Sequence, residues 1–130
     1  VLENAGLEVV SSNDHLITPS GSRGFAINRF TVRLREGFSR DERVLESTFA
    51  PGLEEVFLGR AESDVLNQLL LGGPLDIKAI SLLRGYSCLL WQAIKFATRG
   101  SIFETLASEP RLAVQLWKLF ELRFNPNLSA

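Results

Sequence analysis

The stretch from residue 75 to 98 constrains the fold most, because its apolar side chains surround nearly the whole of a helix. It reads LDIKAISLLRGYSCLLWQAIKFAT. At about 100° per residue, the apolar side chains fall on two faces. One face carries Ala79, Leu82, Tyr86, Leu89, Leu90, Ala93 and Ala97, and the other carries Ile80, Leu83, Ser87, Trp91 and Ile94. A helix of this kind must be packed on at least two sides or span a membrane.

A membrane span is not predicted, because it needs about 20 consecutive apolar residues. The stretch is interrupted by Asp76, Lys78, Arg84 and Lys95. We therefore expect the central helix of a small soluble helical domain, with Tyr86 and Trp91 as its largest buried anchors. On that interpretation Trp91→Ala should cost about 3–5 kcal/mol, as a large-to-small change in a core.

Composition suits one compact domain and excludes two classes of partner. The chain has 130 residues, 45% hydrophobic content and a formal net charge of -1. Such a balance creates no field that would attract nucleic acid or an anionic membrane surface, so neither partner is expected. Cys88 is the only cysteine, which is typical of a reducing compartment and predicts a cytoplasmic location.

The beginning of the chain lacks a signal-peptide pattern, since Val1 to Asn4 has neither a basic region nor an apolar run. The sequence also contains no methionine. We expect it to be a segment cut from a longer protein.

The N-terminal part predicts an antiparallel β ribbon. Gly6 should close the tail of a helix that includes Val1 to Ala5. Leu7 to Val10 and Leu16 to Thr18 read as short strands separated by turn residues at 11–14. After a flexible connection, Phe25 to Arg35 alternates between apolar and polar residues, which predicts a half-buried strand.

Helical patterns fill the rest of the chain. Ser39 to Glu42 reads as a capping box, and the apolar stripe that follows reaches Phe57 across Pro51, which should kink or break the helix near Ala50. Another stripe runs from Glu62 to Leu71. Gly72, Gly73 and Pro74 end it before the central helix begins.

The last two helices are predicted from their boundary residues. Gly100 should stop the central helix, and Ser101 to Glu104 reads as a second capping box. Pro110 suits the first position of the final helix, and Asn125 before Pro126 should end it. The predicted buried face of that helix is Leu112, Ala113, Leu116, Leu119, Phe120 and Phe124. The fold class is therefore α+β, mainly α: a β ribbon over residues 1–38 and a helical bundle over residues 39–130.

Three groups of residues carry a family resemblance. They are Gly59 to Asp64 with Asn67, Leu69 and Leu71; Leu82 to Ser87 with Leu90, Gln92 and Ala93; and Pro110, Ala113, Leu116, Leu119, Phe120, Arg123, Phe124 and Pro126. In order and spacing they resemble the non-catalytic region of the large bacterial NAD-specific glutamate dehydrogenases. Residues 2–35 are similar to the end of that family's ACT-like regulatory modules. The chain departs from the family pattern at Leu89, at Gly73-Pro74 and at Thr98-Arg99.

The resemblance implies a parent reaction in amino-acid catabolism: glutamate and NAD give 2-oxoglutarate, ammonia and NADH. In that family the catalytic domain lies C-terminal to the matched region, and NAD is implied for the full-length enzyme alone. This chain has no G-x-G-x-x-G sequence, and Gly21 to Gly24 reads as a turn between strands. We therefore expect the segment itself not to be an enzyme, with no catalytic, cofactor-binding or metal-binding residues.

Individual candidates for chemistry have simpler interpretations. His15 is the only histidine, so it and Cys88 do not form a zinc-ligand cluster. Cys88 lies among apolar residues and is read as an inert thiol. The lysines fall on predicted helices as solvated amines: Lys78, Lys95 and Lys118. Glu62 and Asp64 are expected to fix a helix N-terminus rather than to act as acid and base.

One basic row lies on the predicted strand and is formed by Arg29, Arg33 and Arg35. It could meet an anion or an acidic partner surface, although a solvated strand face is the default interpretation.

Two functions remain open. The first is a structural and regulatory segment of a glutamate dehydrogenase, with other domains of the same polypeptide as partners. The second is a free-standing α-helical protein-interaction domain, with a groove formed by the stripe from Val44 to Phe57 or by the terminal helix. Unpaired strand edges on the ribbon also predict a homo-oligomer.

Overall fold

The computed structural model describes residues 1–21, 23–38 and 41–127, and it has the predicted α+β, mainly α, architecture. A two-stranded antiparallel ribbon precedes a set of packed helices. In chain order the elements are a 3₁₀ turn (Glu3–Ala5), β1 (Leu7–Ile17), β2 (Phe25–Leu34), α1 (Glu42–Val44), a π-helical turn (Leu45–Phe49), α2 (Ala50–Phe57), a second 3₁₀ turn (Val65–Gln68), α3 (Leu69–Gly72), α4 (Ile77–Ala93), α5 (Arg99–Ser108) and α6 (Pro110–Phe124). In the described part of the chain, no helix is long and apolar enough to cross a membrane. The division into domains at residue 38 stays a prediction.

The ribbon is longer and more regular than the sequence suggested. Its register pairs Leu7 with Leu34 and Ile17 with Phe25, and it contains one irregularity between Val9 and Ser11. The expected turn at residues 11–14 is wrong, because those residues continue β1. These residues pair with residues 28–31 of β2, and this cross-strand pairing outweighs the local turn preference of Ser, Asn and Asp.

Only the base of the ribbon packs into the core. Ala5 and Leu7 are buried there, and Leu34 and Phe38 pack against them. Gly6 ends the first 3₁₀ turn with a positive φ of 86°, as predicted for a helix terminus. Further out, the strand predicted from Phe25 onward is confirmed as β2, but its predicted half-burial is wrong, since β2 is solvent-exposed along nearly its whole length.

The first long helical segment begins at Glu42, with Asp41 as its N-cap residue. The Asp41 side chain accepts a hydrogen bond from the Arg43 N–H at 2.9 Å. The predicted N-cap residue of the capping box, Ser39, lies outside the described residues. The irregularity expected near Ala50 takes the form of the π-helical turn, and the chain remains helical through Pro51.

The centre of the core is the short segment from Val65 to Gly72, and not the predicted central helix. The side chains of Leu66, Leu69, Leu70 and Leu71 are fully buried. The first 3₁₀ turn, the π-helical turn and helices α4 to α6 all contact this segment. Its helix was predicted to begin at Glu62, but helical turns start only at Val65.

Helix α4 is shorter than predicted and is buried on one side only. It ends at Ala93, and Ile94 adopts an extended conformation. The buried side consists of Ala79, Ile80, Leu83, Arg84 and Ser87. The prediction that Tyr86 and Trp91 are buried anchors is wrong: 47% of Tyr86 and 45% of Trp91 are exposed, and Leu90 is exposed beside them.

The starts of α5 and α6 and the end of α6 are set by residues at those positions. Thr98 caps α5 and pairs reciprocally with Ser101, so the predicted capping box was placed three residues late and Gly100 lies inside the helix. Helix α6 begins at Pro110 and ends before Asn125, as predicted. Its predicted buried face is wrong, because only Ala113 is buried and the side chains of Leu112, Leu116, Leu119 and Phe124 are exposed.

Replacing a large side chain by alanine should therefore lower the free energy of unfolding more at Leu66 than at Trp91. We expect Leu66→Ala to lower the free energy of unfolding by about 3–4 kcal/mol, because it leaves a cavity in the centre of the core. Trp91→Ala should cost about 1–2 kcal/mol, because much of the indole is already in water. Urea unfolding with unchanged m-values measures both, and a larger loss for Trp91→Ala would contradict this assignment of the core.

Two helical glycines offer a matched pair of substitutions. A Cβ at Gly52 would lie 2.6 Å from Leu70 Cδ2, whereas a Cβ at Gly85 would meet nothing within 4 Å. Gly52→Ala should lower the free energy of unfolding by about 1–3 kcal/mol through overpacking. Gly85→Ala should raise it by about 0.5–1 kcal/mol through helix propensity. Thermal unfolding measures both variants. If the two substitutions changed the free energy of unfolding equally, α2 and α3 would not pack closely at Gly52.

Candidate functional site

A buried ionic network joins α4 to the loop before the second 3₁₀ turn. Arg84 is only 6% exposed. Its Nε donates to Asp64 Oδ2 at 2.6 Å, and its Nη2 donates to Asp64 Oδ1 at 3.1 Å and to Asn67 Oδ1 at 3.0 Å. A two-pronged contact of this kind fixes both the distance and the orientation of the two groups.

The acceptors in this network are themselves held by the backbone. Asp64 Oδ1 accepts a hydrogen bond from the Leu66 N–H at 3.0 Å and so caps the 3₁₀ turn. Asn67 Nδ2 donates to the Glu62 carbonyl oxygen at 3.0 Å. The exposed Glu62 carboxylate lies 3.6 Å from Arg84 Nε and adds to the charge balance. Within the described residues, no buried side-chain nitrogen or oxygen lacks a hydrogen-bond partner.

A further contact attaches the N-terminal turn to the same loop. Asn4 Nδ2 donates to the Ser63 carbonyl oxygen at 3.0 Å and to Ser63 Oγ at 3.1 Å. The loop is thus held from both sides, by Asn4 and by Arg84.

Sequence reasoning found part of this network. The expectation that Asp64 fixes a helix N-terminus is confirmed by its cap on the 3₁₀ turn. The inward position of Arg84 does not follow from the apolar pattern, in which a charged residue is a polar interruption of the helix. The available signal was spacing: Arg84 lies four residues after Ile80 and three before Ser87, on the face that both share.

The other candidates lie apart from the network. His15 lies in β1 opposite Ile27, and Cys88 is partly buried on α4. The lysines Lys78, Lys95 and Lys118 are exposed. In the basic row, Arg33 pairs with Glu8 at 3.2 Å on the ribbon surface. Among the residues that the structure describes, no three His, Cys, Asp or Glu side chains are grouped to hold a metal ion.

Among the described residues, the resolved pKa shifts belong to one exposed ion pair. Arg60 donates to both carboxylate oxygens of Glu55, at 3.0 and 2.7 Å. These hydrogen bonds lower the pKa of Glu55 and raise the pKa of Arg60. The pair's stabilising effect is present above the ordinary pKa of a glutamate and is lost as pH falls through the lowered value. Because both groups are in water, the effect is small.

A large apolar groove lies between α4, α5 and α6 and has a volume of about 780 Å³. Aromatic rings cluster beside it: Phe120 contacts Tyr86 edge-on with centroids 6.1 Å apart, stacks on Trp117 at 5.7 Å and lies 5.0 Å from Phe124. The groove is lined by Leu82, Leu83, Tyr86, Ser87, Leu90, Ala97, Ser101, Ile102, Thr105, Leu106, Leu112, Leu116, Leu119, Phe120, Arg123 and Phe124.

Comparison with known proteins identifies the family. The family model described as glutamate dehydrogenase, helical motif 3, matches residues 61–126, which is just over half of the chain. The chain belongs to this family. The resemblance to the non-catalytic region of the large NAD-specific glutamate dehydrogenases is therefore confirmed. The matched residues include the ionic network and every residue that lines the groove.

Two curated relatives extend the match over most of the chain. The NAD-specific glutamate dehydrogenase of Halomonas elongata is 28% identical over 126 residues, which are 97% of this chain and 8% of the relative. The protein of the same name from Pseudomonas aeruginosa is 29% identical over 124 residues, which are 95% of this chain and 8% of the relative. The chain thus spans about a twelfth of the length of each relative. No solved structure matches it at a significant level.

Because of the ionic network, replacing Arg84 should strongly reduce the stability of this helical motif. We expect Arg84→Met to lower the free energy of unfolding by about 3 kcal/mol, because it leaves the partly buried Asp64 carboxylate without its partner. Arg33→Met breaks an ion pair whose members are both well exposed and should cost about 0–1 kcal/mol. Urea unfolding of both variants checks the contrast. Similar losses of unfolding free energy in the two variants would mean that Arg84 does not hold α4 in place.

Proposed function

We propose that the chain is a non-catalytic structural and regulatory segment of a bacterial, cytoplasmic NAD-dependent glutamate dehydrogenase. The parent reaction converts glutamate and NAD to 2-oxoglutarate, ammonia and NADH, and NAD binds elsewhere in the polypeptide. The family match over residues 61–126 and the printed names of both relatives support this proposal.

The observation that carries the structural role is the ionic network. Its buried donors and acceptors are used to hold α4 against the centre of the core. The Arg84 guanidinium already donates its Nε–H and both Nη2–H groups to Asp64 and Asn67. Few of its donors are left for a substrate, so its contribution is to fix the packing of the helical motif.

The regulatory part of the proposal rests on the ribbon. Residues 1–38 contribute a partial ACT-like module, and the helical motif connects that module to the other domains of the polypeptide. The open edges of β1 and β2 suit pairing with further strands, including those of a second copy in a homo-oligomer.

The first test is the purified chain in a glutamate-dependent assay of NADH formation. We expect no turnover, because in this proposal the catalytic domain lies elsewhere in the polypeptide. The proposal would be overturned by turnover that a substitution of Lys78, Lys95, His15 or Cys88 abolishes in protein that remains folded.

The second test uses the complete enzyme. Leu66→Ala should reduce the yield of assembled, active enzyme, because it weakens the core of the segment by about 3–4 kcal/mol. The KM for NAD of the surviving folded fraction should be unchanged. Lys118→Ala, at an exposed position, is the control and should change neither quantity. A higher KM for NAD with normal assembly would instead indicate that the segment contributes to the cofactor site.

A free-standing protein-interaction domain is the second candidate, favoured by the groove between α4, α5 and α6. The reading frame that encodes the chain separates the two candidates. A dinucleotide-binding domain after residue 130 supports the first, and a frame that ends there supports the second.

A further inference from the structure

Further apolar side chains are exposed on the elements that form the groove. On α4, Leu89 and Trp91 are exposed, and Phe96 in the following loop is 90% exposed. On α6, Leu122 is also exposed. A large apolar groove with further exposed apolar side chains on the same helices typically marks a binding site for another macromolecule. A small ligand confined to the groove would leave these outer side chains in water.

The lining of the groove favours a helix as the occupant. Most of its residues lie on helices, whose backbone groups are already hydrogen-bonded within those helices. The hydroxyls of Ser87, Ser101 and Thr105 donate to backbone carbonyls of their own helices at 2.7–2.8 Å. An extended segment would bury unpaired backbone groups there, whereas an α-helix satisfies its own.

The charge in the groove indicates one property of that helix. Among the residues that the structure describes, Arg123 is the only charged one in the lining. No carboxylate of residues 1–21, 23–38 or 41–127 forms an ion pair with it. The nearby Glu121 instead accepts a hydrogen bond from Asn125 at 3.0 Å. An acidic side chain on the occupant would complement the unpaired guanidinium.

We infer that the groove between α4, α5 and α6 binds an amphipathic α-helix that carries an acidic residue opposite Arg123. The apolar face of that helix packs on Tyr86, Leu116 and Leu119. Another part of the glutamate dehydrogenase polypeptide supplies the helix. This source rests on the proposed function.

The experiment is photo-crosslinking in the complete polypeptide, with p-benzoylphenylalanine in place of Leu119. Leu119 is an exposed position, so the substitution should not disturb folding. After irradiation and digestion, mass spectrometry should find the probe joined to a peptide outside these 130 residues that has helical apolar spacing and an Asp or Glu within two turns of the cross-link. The same probe in place of Lys118 lies outside the groove on the same helix, and it should yield little of that product.

The charge contribution is tested in the same assay. Arg123→Glu should reduce the cross-link yield about fivefold, because it replaces an attractive pair with a repulsive one. Arg111→Glu makes the same charge change on α6 outside the lining and should leave the yield unchanged. Circular dichroism of both variants checks that α6 remains folded.

Three outcomes would overturn the inference: a cross-link to the groove of a second copy, a cross-link to a fatty acid, or no specific cross-link. The proposed function fails separately, if the complete polypeptide does not oxidise glutamate with NAD. An active enzyme without the expected cross-link would refute the inference alone.

Discussion

The contact of Arg84 with Asp64 and Asn67 is the interaction on which the helical part of the structure depends. Burying a guanidinium is costly, and the cost is offset here because Asp64 binds it with both carboxylate oxygens and Asn67 adds a further acceptor. Apolar contacts alone are non-directional and would allow α4 to rotate or slide along the core. The ionic contact allows only one rotation of α4 about its axis.

That rotation decides which side of α4 faces the core. With Arg84 inward, Ile80 and Ser87 are inward as well, because they lie one turn away on either side. Tyr86 and Leu90 must then face outward, where both line the groove and Tyr86 contacts Phe120 of α6. The buried polar contact and the exposed apolar groove are therefore two consequences of the same helix orientation.

The sequence predicted features that depend on nearby residues. The left-handed Gly6, the start of α6 at Pro110 and its end at Asn125 follow from backbone chemistry within a few residues. The burial of α4 could not be predicted in the same way, since a helix with apolar residues all round has no side that the pattern distinguishes. Its choice of side depends on Asp64, which is twenty residues away in sequence and close only in the folded chain.

The polar side chains inside the segment are hydrogen-bonded, whereas large apolar side chains are exposed on its surface, and this contrast suggests how the segment acts. The described buried polar side chains have partners within the chain, so they contribute to folding rather than to recognition. Recognition depends on what remains exposed, namely the groove with Arg123 and the open edges of the ribbon. The two surfaces differ in kind, because the groove suits a helix and the ribbon edge suits a strand. A segment with both can join helical and β-rich neighbours, which agrees with the role that we propose for it, as a connector between a partial ACT-like module and other domains of a larger polypeptide.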